Sequence, residues 1–266
     1  MDLRYSEEQQ LIQRQAREFF ERECPLARVR ACWAAGGALP PALWARMSEL
    51  GWLGALLPER FGGQGLGHTD LSRILEEMGR GLLPGGYLAT RAASQAIALA
   101  APEPLQAKLL PAVARGALRL ALALSGQGGR LARLGGRFQA QATGDGFRLS
   151  GEKLAVLGLA EAAQIVVATA PGAAGSGAAG SGAAGPELFL LDADAPGVAI
   201  APLETMEGGW RQASLRLTDV RVPRQRHLNA GDGTALARVE ALLELALVFD
   251  ALGGAARVLG MTVAYA

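Results

Sequence analysis

The sequence predicts an α+β fold in three parts. These are an all-helical N-terminal domain over residues 1–116, a middle antiparallel β-barrel or sandwich domain over 117–228, and a closing helix over 229–266. Three observations carry this reading. Apolar residues recur at helical spacing up to about residue 116. From Leu118 to about Val222 they shorten into strand-length runs separated by turn residues. From Thr234 the helical spacing returns. Half of the residues are hydrophobic, which excludes a wholly disordered chain, and 266 residues are enough to bury a sizeable core.

The elements follow in order. Ser6 and Gln9 have the spacing of a capping box, in which a hydroxyl and a side-chain amide satisfy free backbone N–H groups. Ile12, Ala16, Phe19 and Phe20 then share one helical face, and Pro25 is expected to stop the run. A second helix opens at Pro40-Pro41, turns Leu43, Trp44 and Met47 inward and ends near Gly51. A third starts at Thr69-Asp70, with Leu71, Ile74, Leu75 and Met78 inward. Two more run from Leu88 to Ala100 and from Pro104 to Arg115, the latter with Gly116 just past its end. In the middle part, Phe138–Ala142 and Phe147–Leu149 flank a Gly144-Asp145-Gly146 turn as a hairpin. Further strands are expected at Ile165–Ala168, Glu187–Leu191, Val198–Ala201 and Ala213–Leu217. The near-repeat Ala173–Gly177, Ala178–Gly182 has no charge and no large side chain, and reads as a flexible Ala/Gly/Ser loop over 172–186 without a chemical role. The last helix runs from Thr234 to Ala266 through Leu242, Leu245, Leu252 and Leu259.

Composition removes whole classes of function. Lys and Arg number 26 against 25 Asp and Glu, so no basic surplus points to nucleic acid. No stretch approaches the roughly 20 apolar residues of a membrane-spanning helix, and charges occupy the N-terminal residues where a secretion signal would be apolar. Cys24 and Cys32 have neither CxxC nor metal spacing and read as thiols in a reducing cytosol, so the expected location is cytoplasmic.

Five strings, in order along the chain, resemble the acyl-CoA dehydrogenase family. They are Gly51-Trp52-Leu53-Gly54-Ala55-Leu56-Leu57-Pro58-Glu59-Arg60-Phe61-Gly62-Gly63, Leu75-Glu76-Glu77-Met78-Gly79-Arg80, Leu149-Ser150-Gly151-Glu152-Lys153, Val220-Arg221-Val222-Pro223 and Thr262-Val263-Ala264-Tyr265-Ala266. The resemblance implies a flavoenzyme that holds FAD between the β-domain and a C-terminal four-helix bundle. A glutamate takes the α-proton of an acyl-CoA thioester while a hydride leaves for the flavin. Electrons then pass to an electron-transferring flavoprotein, and the subunits form homo- or hetero-oligomers with similar chains. By this resemblance 229–266 is the first helix of the bundle, in a chain either truncated or naturally without the rest.

The positions that would carry the chemistry depart from the family. Where relatives read like ALTEPxAGSD, this chain has Ala123-Leu124-Ser125-Gly126-Gln127-Gly128-Gly129-Arg130. The resemblance puts Leu124 and Ser125 at the flavin, Ser125 keeping a hydroxyl, and puts Gly129 and Arg130 at the substrate's anionic groups; a merely flexible turn fits the same run. After Lys153 the family's ring-facing aromatic and its threonine are replaced by Ala155 and Leu157. This removes a stacking surface worth about 1 kcal/mol and a side-chain donor. The early position of the base in some relatives falls on Leu243. Glu244 beside it points about 100° away, and Glu240 lies one turn earlier; solvated carboxylates explain both as well. His68 and His227 are turn-like, and Arg221, Arg224 and Arg226 form a solvated strand exit or a contact for CoA phosphates. Two functions remain open: an FAD-dependent acyl-CoA dehydrogenase that is not competent as this chain alone, or a non-catalytic partner subunit that has lost flavin contacts and base.

Overall fold

The computed structural model describes residues 4–124, 138–169, 186–228 and 234–266. Helices α1 (Glu7–Glu23), α2 (Leu26–Ala34), α3 (Pro41–Glu49), α4 (His68–Arg80), α5 (Tyr87–Ala100) and α6 (Glu103–Ala114) precede the strands. Strands β1 (Leu120–Ala123), β2 (Gln139–Ala142), β3 (Gly146–Leu157), β4 (Gln164–Ala168), β5 (Leu188–Asp192), β6 (Val198–Pro202), β7 (Gln212–Pro223) and β8 (His227–Leu228) follow, and α7 (Thr234–Tyr265) closes the chain. The Ser6–Gln9 capping box forms as expected, with Gln9 N–H donating to Ser6 Oγ at 3.2 Å. Leu43, Trp44, Met47, Leu71, Ile74, Leu75 and Met78 are all buried.

The first helix ends at Glu23, just before Pro25, as expected. A helix not expected follows at once: Pro25 stands just before α2, and its carbonyl accepts from Arg28 N–H at 2.8 Å and Val29 N–H at 3.1 Å. A proline costs a helix start nothing, because the first N–H groups have no partner in any case. One expectation is corrected: the strands do not close a barrel. They form two four-stranded sheets, ordered β1-β4-β5-β8 and β2-β3-β7-β6, and β1 runs parallel to β4. The sandwich alternative fits: Ala121, Phe138, Leu149, Ile165, Phe189 and Leu215 from both sheets share one buried cluster. The other face of the first sheet, through Leu120, Val166, Leu188 and Leu190, is buried against helices α5 to α7. Strands covered on both sides need no polar alternation, which is why Ile165–Ala168 is continuously apolar. In β7 the inward positions switch from Ala213, Leu215 and Leu217 to Val220 and Val222. Asp219, at φ 54°, absorbs the change of phase. The Ala173–Gly182 near-repeat lies outside the described residues.

The long helix α7 is held by an unusually close crossing with α4. A Cβ placed on Gly79 would fall on the carbonyl oxygen of Asp250, and one on Gly253 would fall on the carbonyl oxygen of Glu76. The two backbones therefore touch directly. Ala246 of α7 is buried with α4 in the cluster of the N-terminal helices, Leu236 and Val239 are buried in the cluster of α5, α6 and the first sheet, and Leu243 packs against both. Asp250 pays for its place at the crossing: burial first, then the Glu207 charge, raises its carboxyl to about 6.

Two outcomes follow from this crossing. In a helix interior Gly→Ala ordinarily stabilises by about 0.5–1 kcal/mol, and Gly260→Ala, with open space around it, should do so. Gly253→Ala should instead destabilise by about 2 kcal/mol or more through overpacking; urea unfolding of the two variants checks the opposite signs. Because the folded-state pKa of Asp250 lies above its unfolded value, the carboxyl favours folding only while protonated, and that advantage is lost as pH rises from about 4 through about 6. Asp250→Asn should add about 1–2 kcal/mol at pH 7.5, discounted for partial exposure, and nothing at pH 3.5.

Candidate functional site

Of the predicted contact positions, Leu124 follows the first strand of the first sheet, and Ala155 and Leu157 lie at the end of β3. Thr90 of α5 fixes β1 there, its Oγ1 donating to Leu120 O and accepting from Leu120 N–H, both at 3.1 Å. Leu124, just past β1, is half-buried and belongs to the cluster formed by Leu236, Val239 and Leu243 of α7. On β3 the pairing with β7 breaks between Lys153 and Val156, leaving Leu154 and Ala155 out of register. Ala155 takes a left-handed conformation, φ 57°, and is exposed. Such a bulge re-aims side chains, but Ala155 has only a methyl group to present. Burial lowers the ammonium pKa of Lys153 beside it.

Leu157, two residues further on, turns the other way. It packs with Trp52, Tyr87 and Leu88 in the core of the helical part. The strand end then crosses the start of α5 in contact, since a Cβ on Gly158 (φ 65°) would lie 2.8 Å from that of Ala89. Ala155 is thus exposed at the bulge while Leu157 packs against the helical core. Neither supplies an aromatic surface or a side-chain donor, so these positions do not fit the ring of a flavin. Ser125, Gly129 and Arg130 lie outside the described residues.

The base candidates are separated as well. Leu243 is half-buried, packed against both helical clusters, and carries no carboxyl. Glu240 is half-buried, and burial, then the Glu244 charge, raises its pKa. Glu244 is exposed. Neither glutamate has a hydrogen-bonding partner among the described residues that would orient it as a base. His68 begins α4 in an exposed position, its pKa lowered by burial and then by Arg91 and Arg238. His227 is half-buried, stacks on Phe189 with centroids 4.8 Å apart and lies 3.5 Å from Glu187; burial lowers its pKa against the pull of that carboxylate. Arg226 pairs with Asp192 at 2.7 Å, so part of the basic strand exit is already neutralised.

Among the described residues no cluster of His, Cys, Asp or Glu could hold a metal, and no helix is long and apolar enough to cross a membrane. A groove of about 640 Å³ runs between α1, α2, α4 and α7, past Phe20, Val29, Trp33, Leu82, Arg257 and Met261, away from every predicted site residue. Sequence reading passed over Arg91, although it is the one charged residue of α5.

Residues 6–117 match the family described as acyl-CoA dehydrogenase, N-terminal domain. Acyl-CoA dehydrogenase FadE12 of Mycobacterium tuberculosis is 31% identical over 227 residues, 82% of this chain and 55% of that protein. FadE26 of the same organism is 26% identical over 233 residues, 84% of this chain and 56% of that one. Among solved structures, the Tcur3481-Tcur3483 steroid ACAD G363A variant aligns with TM-score 0.82 and 33% identity, over 97% of this chain and 66% of that one. The ChsE4-ChsE5 complex from Mycobacterium tuberculosis aligns with TM-score 0.86 and 26% identity, over 100% and 68%. The chain spans about half the length of the curated relatives it matches.

If Leu243 is core rather than an open site wall, Leu243→Ala should cost about 2–3 kcal/mol in a chemical unfolding experiment. A cost near zero would place the residue at an accessible surface.

Proposed function

The chain belongs to the acyl-CoA dehydrogenase family of oxidoreductases, and on that premise we propose that it serves as a partner subunit in a heteromeric acyl-CoA dehydrogenase. In this reading it walls the acyl-CoA site, while the catalytic base and the flavin contacts come from outside residues 1–266. Residues 1–116, 117–228 and 229–266 are its helical part, its β part and the first helix of a bundle. The observation that carries the proposal is Leu243, a half-buried aliphatic side chain packed against both helical clusters, on which the resemblance would put the base of some relatives.

The surface of α7 supports assembly with further helices. Leu245, Val248, Leu252 and Leu259 follow one line at three- and four-residue steps or their sum, and Val248 and Leu259 are 61% and 65% exposed. Leu247, Val258, Met261 and Tyr265 follow a second line, with Val258 63% exposed. Apolar lines left exposed on a helix call for a covering surface, and spacing of this kind suits neighbours that cross at about 20°. Two similar structures, the ChsE4-ChsE5 complex and the Tcur3481-Tcur3483 steroid ACAD, are each named for two proteins, and they motivate the heteromeric form.

A second reading is favoured by the length of the relatives. With only 55% of the similar FadE12 spanned, the base, ring contacts and remaining helices would belong to the same polypeptide, and the whole would be the dehydrogenase.

The two readings part on flavin content. Under the proposal, the chain expressed alone stays colourless after incubation with FAD and gel filtration. Co-expressed with its partner it yields a yellow assembly that reduces an acceptor dye with acyl-CoA. A single chain that carries flavin and turns over acyl-CoA without a partner would contradict the proposal and establish the second reading.

A further inference from the structure

The groove of about 640 Å³ in the helical part has walls shaped to take another helix. Helix α4 packs on both α1 and α7, and α2 continues from α1, so α2 and α7 form the outer walls. On α2 the lining positions include Leu26, Arg30 and Trp33, at i, i+4 and i+7. On α7 they are Gly254, Arg257, Val258 and Met261, at i, i+3, i+4 and i+7. Each set keeps to one helix face. Leu26, Trp33, Val258 and Met261 are exposed, and Phe20 and Val29 make a buried floor. A Cβ on Gly254 would meet nothing closer than 3.9 Å, so the α7 wall leaves room for a close approach. Apolar rows at helical spacing on two walls suit the side chains of a third helix lying between them.

The charges on the groove select what that helix carries. Four arginines line it, Arg17, Arg30, Arg80 and Arg257, against two carboxylates, Glu21 and Glu77. Glu77 is already engaged, accepting from Arg17 at 2.7 Å and from Gln13 at 3.1 Å. Arg80 stays 3.9 Å from it, and the buried Arg80 Nε has no hydrogen-bond partner. Arg30 and Arg257 meet no carboxylate among the described residues. A purely apolar occupant would strip water from these guanidinium groups and give them nothing in return, and a basic one would be repelled. The long helices of this chain carry both signs, Arg14 and Arg22 with Glu18 and Glu21 on α1, and Arg238 and Arg257 with Glu240 and Glu244 on α7. A second copy is therefore a poorer match than a uniformly acidic helix.

We propose that this groove docks an acidic amphipathic helix of a second, different protein. Its aliphatic side chains sit between Trp33 and Met261, and its carboxylates meet Arg30, Arg80 and Arg257. The groove shares no residue with the predicted flavin, substrate or base positions, so the docking adds a protein contact that the acyl-CoA reading does not require.

Two fluorescein-labelled helical peptides of about 16 residues serve as probes. Both have leucines at i, i+4 and i+7, and they differ in having glutamate or lysine at every flanking position. Fluorescence anisotropy with residues 1–266 at low salt should show the glutamate peptide binding at least about tenfold more tightly. Added salt should narrow the gap. Arg30→Glu combined with Arg257→Glu should invert the order, and Trp33→Ala should weaken the glutamate peptide about tenfold. Should Trp33→Ala lose its helical circular dichroism, the charge reversals carry the test. Equal affinity for the two peptides, or an order unchanged in the folded charge-reversed variant, overturns the proposal. A dimer of residues 1–266 that Arg257→Glu dissociates also overturns it, by seating a second copy in the groove. Dodecanoate binding more tightly than the glutamate peptide, and displacing it, overturns it in favour of a small amphipathic anion. None of these results alters flavin content or thioester turnover, which test the acyl-CoA reading separately.

Discussion

The close crossing of α4 and α7 governs most of what this chain can and cannot do. Two glycines, Gly79 and Gly253, let each helix backbone reach the carbonyls of the other. Each gives up about 1 kcal/mol of helix propensity relative to alanine, and the packing of both helices offsets this. A contact so close fixes the rotation of α7 about its own axis as well as its distance. With the rotation fixed, Leu236, Val239, Leu243 and Ala246 face the core, and Glu244 faces solvent. A turn of the helix by one residue would exchange Leu243 for Glu244, and only the glycine contact, together with the apolar cores it closes, forbids it.

Much of the fold was legible because each local signal had a single physical solution. The Ser6–Gln9 cap, the inward Leu71–Met78 positions and the hairpin around Gly144-Asp145-Gly146 depend on neighbours in sequence, and the structure reproduces them. What was missed depends on partners far along the chain. Strand β1 is only four residues long and gains its place by parallel pairing with β4 and by the Thr90 hydroxyl. Helix α2 follows a proline that reads equally well as a stop or as a start. The site was less legible than the fold. The replacements at Ala155 and Leu157 could be read, but not that a bulge leaves the first exposed and the second packed against the helical core. Arg91 gave no motif at all, since an uncompensated buried charge is visible only once its surroundings are known.

The chemistry-bearing features are distributed unevenly. Acids and bases in the helical part are largely matched: Glu77 receives Arg17, with Nε at 3.2 Å and Nη2 at 2.7 Å, as well as Gln13 at 3.1 Å. Glu23 is surrounded by Arg22, Arg28 and Arg46, and Arg119 meets Glu161. These pairs hold helices and strands together. Around Leu124, Leu157 and Leu243 the described surroundings are instead mainly apolar, aliphatic in one cluster and with Trp52 and Tyr87 in the other. A wall of this kind is useful when another part of the assembly brings the chemistry, because a dry, rigid surface strengthens every charge interaction placed against it.

Removal of the α-proton requires a base and can be observed without any redox step. The most direct measurement is therefore hydrogen–deuterium exchange at the α-carbon of pentanoyl-CoA in heavy water, followed by mass spectrometry. Residues 1–266 alone should exchange no faster than buffer, and the assembly with its partner should exchange rapidly. Accelerated exchange by residues 1–266 alone, abolished by Glu240→Gln or Glu244→Gln, would show that this chain carries a working base after all.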